Sequence, residues 1–176
     1  MSVAARFRLG DDPRNVPAAT KFALRSVARR YEALSAEITK LDAQLDRLVR
    51  QVAPELVSLV GIGTENAATL LIVAGDNPQR FRSEASFASL CGVSPVEASS
   101  GKVVRHRLNR GGNRDANRAL YMICLARMRR DRRTQEYVAR RTAEGKSKRE
   151  IIRCLKRYVA REVYRVLVSA APPIRP

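Results

Sequence analysis

Nine apolar residues, Leu24, Val27, Tyr31, Leu34, Ile38, Leu41, Leu45, Leu48 and Val52, follow one another at alternating spacings of three and four. Only a helix returns such positions to one side, and Arg, Glu, Asp and Lys fill the positions between them. A stripe this narrow on so long a helix has to be covered by something. A second copy of the same helix is the simplest cover; folding back onto its own domain is the alternative. The pattern therefore predicts a coiled-coil arm over residues 21–53, ended by Pro54, with self-association through it. Residues 1–20 carry Gly10-Asp11-Asp12-Pro13 and Pro17 without apolar periodicity, and read as a linker or a disordered segment.

Beyond the arm the period changes. Leu56 to Val60, then Gly61-Ile62-Gly63, then Thr64 to Leu71 is a short apolar helix, a glycine turn and an Ala-rich helix, the pattern of a helix-hairpin-helix. In that reading Gly61 and Gly63 permit positive φ and close approach of a phosphate. Thr64 caps a helix whose free N–H groups face the same anion. Ser83 is placed to cap a helix ending near Cys91, with Gly92 just past its end. Ser94-Pro95 and Ser99-Ser100-Gly101 are turn formers, and residues 102–108 alternate loosely, which predicts a short β-hairpin or an irregular loop. Arg110-Gly111-Gly112-Asn113 is a second glycine turn, leading into a helix from about Arg114 to Arg130. A basic hinge follows. Ser147-Lys148-Arg149-Glu150 then reads as a capping box for a final helix. Ile151, Leu155, Tyr158, Val159, Val163, Val166 and Leu167 form its apolar stripe. Arg153, Arg157, Arg161 and Arg165 recur every fourth residue along another face, where four like charges make most sense beside a polyanion.

Charge points the same way. The 176 residues carry a formal net charge of +17, and +16 of it lies after Ser100. The excess is mostly Arg, whose planar fork of donors suits phosphates and guanine edges, so nucleic acid is the expected partner. The longest uncharged apolar stretch, Ala67 to Gly75, is far short of the ~20 residues that span a bilayer, and the N-terminus has no secretory pattern. Membrane association is therefore not expected. Cys91, Cys124 and Cys154 are widely spaced, which suggests core packing in a reduced cytoplasmic, nucleoid-associated setting and no metal motif. Nine aromatics and no Trp weigh against a base-stacking platform.

The ordered motifs resemble the C-terminal part of the transposases of the IS-one-ten group of insertion sequences. The carriers are Leu59-Val60-Gly61-Ile62-Gly63, Ala67-Ala68-Thr69-Leu70-Leu71, Gly75-Asp76 with Arg80-Phe81, and Cys91-Gly92-Val93-Ser94-Pro95. Ser99-Ser100-Gly101-Lys102, Arg107 to Arg114, Asn117-Arg118-Ala119-Leu120 and Glu144 to Lys148 continue the series, and the helix from Ile151 to Val166 completes it. The resemblance covers about residues 22–167. It implies a serine that attacks DNA and becomes linked to the phosphate; by motif that is Ser100, with Ser99 as the fallback. Lys102, Arg105 and Arg107 are close in sequence, and Arg110, Arg114 and Arg118 extend the basic turn, so all six are candidate nucleic-acid contacts with the ladder arginines. His106 reads as a phosphate contact or loop packing rather than a general base.

The resemblance further implies a RuvC-like domain whose acidic residues hold Mg²⁺, a structured guide RNA of the mobile element, and an oligomer. Residues 1–20 cannot hold such a domain, so no metal or other cofactor is expected on this chain. The RuvC-like part would come from a separate subunit or a full-length transposase, and the chain alone would be inactive. The expected fold is mainly α: the long coiled-coil helix, then a compact transposase domain over 54–171 with the helix-hairpin-helix and hairpin insert, and a tail at 172–176. The expected function is half of an RNA-guided DNA transposase. The alternative is a catalytically inactive module that binds nucleic acid and dimerises.

Overall fold

A computed structural model describes residues 3–8, 16–75, 81, 83–99, 106–107 and 109–169. The chain divides into two compact units, Met1–Arg47 and Leu48–Pro176. It is mainly α, with seven α-helices and one two-stranded sheet among the described residues.

In the first unit a 3-10 turn at Ala4–Arg6 buries Ala5. Helix α1 then runs Val16–Val52, 37 residues or about 55 Å at 1.5 Å per residue. It starts five residues before the arm was expected to begin, so the end of the segment read as a linker is helical. The reason is local: Pro17 falls in the first turn, where a missing N–H costs nothing, and Ala18-Ala19 favour the helix. The apolar seam is exposed along most of α1, with Val27 and Tyr31 at 69% and Ile38 at 57%.

The second unit is built around two helices. After Ala53 the short α2 spans Pro54–Ser58, with Pro in its first turn, and α3 spans Thr64–Ala74. α4 spans Glu84–Leu90, started by a reciprocal Ser83/Ser86 capping box. Strands β1 (Val96–Glu97) and β2 (His106–Arg107) pair antiparallel, with Val96 opposite Arg107 and Glu97 opposite His106. The expected hairpin therefore forms. α5 spans Arg114–Arg130, its first N–H groups held by the Asn113 carbonyl oxygen of the side chain at 2.9 and 3.0 Å. α7 spans Lys148–Ser169, and its capping box closes as the sequence indicates, with Ser147 N donating to Glu150 at 2.9 Å. α5 packs on α3, on α6 (Arg132–Ala143) and on α7, while α4 and α2 pack on α7. Leu70, Phe87, Leu120, Ile123, Ile151, Val159 and Val163 are fully buried between them.

Two expectations need correcting. The basic hinge is a helix, α6, over Arg132–Ala143. Asp131 caps it by accepting from Thr134 N at 3.0 Å, and the hydrogen bond it also accepts from the Thr134 hydroxyl at 2.5 Å leads the causes that hold its pKa below the ordinary value. Tyr158, assigned to the apolar stripe of α7, is 48% exposed and meets Tyr137 of α6 edge-on, centroids 5.7 Å apart. Its place on the buried face is taken by Ile152 and Lys156. The tail at 172–176 lies outside the described residues.

Candidate nucleic-acid interface

The site begins where α4 ends. Gly92 adopts φ +64°, which turns the chain back at the foot of the hairpin. Gly112 packs directly against it, and the next residue's N–H, that of Asn113, donates to Leu90 O at 2.6 Å. The Asn117 amide of α5 donates to Cys91 O and Gly92 O at 2.9 and 3.1 Å. Asn109 donates to Ser94 Oγ at 2.8 Å. Together these hold the Cys91–Pro95 segment rigidly over the start of α5.

Between that segment, β2 and α7 lies a cleft of about 730 Å³. His106 and Arg107 line it from the hairpin, Lys146 from the turn before α7, and Arg153, Lys156, Arg157, Tyr158 and Arg161 from α7 itself. Arg153 reaches back to donate to His106 O at 3.4 Å. Arg157 and Arg161 both bond the Glu84 carboxylate of α4, the latter at 2.9 Å. Burial alone raises the Glu84 pKa, but the two guanidinium groups outweigh it and the carboxyl titrates below its ordinary value. The thiols of Cys91 and Cys124 are pushed up to about 12 by burial, which makes them core rather than reactive groups. Cys154 is only half-buried and faces the cleft.

Of the residues singled out from the sequence, the fold brings Arg107, Arg153, Arg157 and Arg161 to one cleft. Arg165 is exposed and does not line it. Arg110 and Arg114 are exposed at the entry to α5, while Arg118 lines a separate pocket between α3 and α5 with Glu65 and Asp115. The ladder is thus no uniform row of unpaired cations: Glu84 pairs with both of its middle members, from 73 and 77 residues away in sequence. Ser99 is exposed just past β1. Ser100, Lys102 and Arg105 lie outside the described residues, in the connection between β1 and β2.

The glycine turn before α3 also differs from expectation. Gly61 has φ +79°, but a side chain there would meet Arg127 Cγ at 2.9 Å and Ile123 O at 3.3 Å. Its missing Cβ serves packing against α5, not access for a phosphate. Gly63 is the open position, with nothing within 4 Å of a Cβ built on it. Gly63, not Thr64, is the N-cap of α3, and no side chain caps that end.

Sequence reasoning missed Lys156, Asn117, Glu84 and Arg127. Lys156 had a signal, since Ile152, Lys156, Val159 and Val163 share the buried side of α7. Nothing local marks Glu84 as the partner of two arginines so distant in the chain.

Glu84 supplies a pH test. A carboxylate with a lowered folded-state pKa stabilises the fold above its ordinary value of 4.5 and loses that contribution as pH falls through the folded value. Because the pair is about a quarter exposed, Glu84→Gln should cost at most about 1 kcal/mol at pH 7. Thermal melts of the wild type and the variant should converge as the pH falls below the folded-state pKa of Glu84, itself below 4.5.

A compact helical domain whose hairpin and last helix form an arginine-lined cleft is the class of protein that this geometry defines. Residues 53–139 match the Transposase IS116/IS110/IS902 family, and the chain carries a transposase domain of that family. It is 34% identical over 125 residues to the insertion element IS110 uncharacterized 43.6 kDa protein of Streptomyces coelicolor, covering 69% of this chain and 31% of that one. It is 30% identical over 148 residues to a pilin gene-inverting protein of Moraxella lacunata, and 29% identical to that of Moraxella bovis, with 78% of this chain and 45% of each relative covered. The chain thus spans less than half the length of these relatives. No described helix is long and apolar enough to cross a membrane.

Proposed function

We propose that the chain is the part of a DNA transposase that binds DNA and supplies a serine nucleophile, Ser100, for strand cleavage and exchange. The observation that supports this most is the cationic cleft. His106 and Arg107, which line it, continue directly from the connection that contains Ser100. The names of the relatives concern rearranged DNA, an insertion element in one case and an inverted pilin gene in the others.

In the proposed step Ser100 Oγ bonds to phosphorus, the bond from phosphorus to the departing sugar oxygen breaks, and that oxygen takes up a proton. A hydroxyl needs a base for this, and the negative charge growing on the phosphoryl oxygens needs donors around it. Arg107 and Arg153 are suited to the second role. The described residues do not fit a Mg²⁺ site: no group of three or more His, Cys, Asp and Glu could hold one, and Glu150 in the cleft already accepts from Ser147 N and Oγ. The acids that the family resemblance implies would come from a RuvC-like partner, and the guide RNA would be a further partner. Gly63 and the uncapped start of α3 would touch the DNA backbone, and a second copy of α1 would cover its exposed seam.

The test mixes the chain with DNA, Mg²⁺ and a full-length relative whose own serine is replaced. A protein–DNA adduct of this chain should form and survive denaturation; Ser100→Ala should abolish it, by at least 100-fold for loss of a nucleophile. No adduct with the wild-type chain, or an equal one with Ser100→Ala, leaves only the non-catalytic binding module. Loss with Ser99→Ala alone would move the role to that residue.

A further inference from the structure

We infer that the cleft between the β1–β2 hairpin and α7 is a binding site for a phosphate group, anchored on the buried ammonium of Lys156. Only the source of that phosphate, a nucleic-acid backbone, rests on the function proposed above.

Lys156 is 7% exposed and sits on the buried face of α7 with Ile152, Leu155 and Val159, yet it borders the cleft. A buried ammonium is costly unless a counter-charge and hydrogen bonds compensate it. Among the described residues no carboxylate pairs with Lys156; its Nζ donates to the neutral Asn117 Oδ1 at 2.8 Å. That acceptor is fixed in place, because the same amide's Nδ2 is committed to Cys91 O and Gly92 O. One of three ammonium donors is thereby satisfied, and the charge is not.

The surroundings deepen the deficit. Desolvation and the Arg153 charge both hold the Lys156 pKa below its ordinary value. Arg107, Lys146 and Arg153 line the same cleft. Glu150 is the one carboxylate among the described residues lining the cleft, set against Lys146 and Arg153 and holding Ser147, while Glu84 is paired with Arg157 and Arg161. A phosphate group brings the two things that are lacking, negative charge and several acceptor oxygens. A cleft of 730 Å³ has room for one with the sugar that carries it. The aliphatic stem of Lys156 is packed, so its ammonium is held ready rather than reaching out from solvent, and little side-chain entropy remains to be lost on binding.

The test uses the whole chain with ¹⁵N-labelled lysine. The Lys156 ammonium signal is followed during separate titrations with inorganic phosphate, a short single-stranded DNA and a DNA duplex. It should move saturably with phosphate and at lower concentration with DNA. Lys156→Met should weaken duplex binding about tenfold, the loss expected for one charge-assisted hydrogen bond. It should also lower the slope of log affinity against log salt by about 0.9. Arg107→Gln, at an exposed position that cannot disturb the core, should weaken the phosphate-induced shift and serves if Lys156→Met fails to fold. A signal that moves with phosphate but not with DNA upholds the anion site and assigns it to free phosphate, which would count against the proposed function alone. A signal unmoved in all three titrations overturns the site, whatever becomes of the Ser100 adduct.

Discussion

Gly112→Ala should lower the melting temperature by about 10 °C or more, the largest loss expected from a Gly→Ala change among the described glycines. A Cβ at 112 would overlap the N and Cα atoms of Gly92 and come within 2.8 Å of Leu90 O. All of these are backbone atoms, so no side chain can swing away. The end of α4 and the start of α5 would have to separate by roughly an ångström, and interiors packed to crystal-like density resist that. Separation would also strain the Asn113 N–H bond to Leu90 O and both amide bonds from Asn117. Overpacking costs about 1–3 kcal/mol and each of the three hydrogen bonds about 1, so the sum is about 4–6 kcal/mol. At ~2–4 °C per kcal/mol for a chain of this size, that gives the shift stated. Gly63→Ala is the control. It meets nothing within 4 Å and its φ is −87°, so it should lose only the N-cap preference of Gly over Ala, at most about 1 kcal/mol and a few degrees. A Gly112→Ala protein that melts with the control would refute the close approach of the two turns.

The second large effect concerns Arg127. Its side chain is 11% exposed, its Nε donates to Val60 O at 2.7 Å, and its Nη1 pairs with Glu162 Oε2 at 2.7 Å. One guanidinium thus ties the turn before α3 and the middle of α7 to α5. Arg127→Met keeps most of the stem that packs on Gly61 but leaves the Val60 carbonyl without its donor and Glu162 without its counter-ion. Glu162 is 44% exposed, so water reaches it and its share is small. The Val60 hydrogen bond dominates, and because Val60 is 55% exposed the expected cost is that of one lost charge-assisted hydrogen bond, about 1.5–2 kcal/mol in urea unfolding. Arg127→Lys should recover only part of it, because an ammonium cannot span both acceptors in the fork geometry. An Arg127→Met protein as stable as the wild type would mean that the three elements are held by apolar packing alone.

Much of the fold was legible because its signals are local. The 3-4 spacing of the seam marks α1, Asn113 after two glycines marks α5, and the Ser147/Glu150 pair marks the start of α7. Helix α6 was not legible as such: Arg132 to Arg141 holds four arginines and little apolar surface beyond Tyr137 and Val138. It is held by the Asp131 cap and by packing of Tyr137 on Tyr158 of α7. Arg127 was hidden for a similar reason. In sequence it is one of four arginines among Arg127, Arg129, Arg130 and Arg132, and only packing against Val60 and Glu162 separates it from the others.

By itself the sequence determined that this chain is helical, that it carries the transposase domain of its family, and where its positive charge accumulates. Those properties follow from periodicity, ordered motifs and composition, all readable along a line. Only the tertiary structure decided which cations face one another across a cleft, which two are answered by Glu84, and which one, Lys156, is buried facing a neutral amide. Electrostatic pairing depends on distance in space, and the partners that settle it are contributed by elements tens of residues apart.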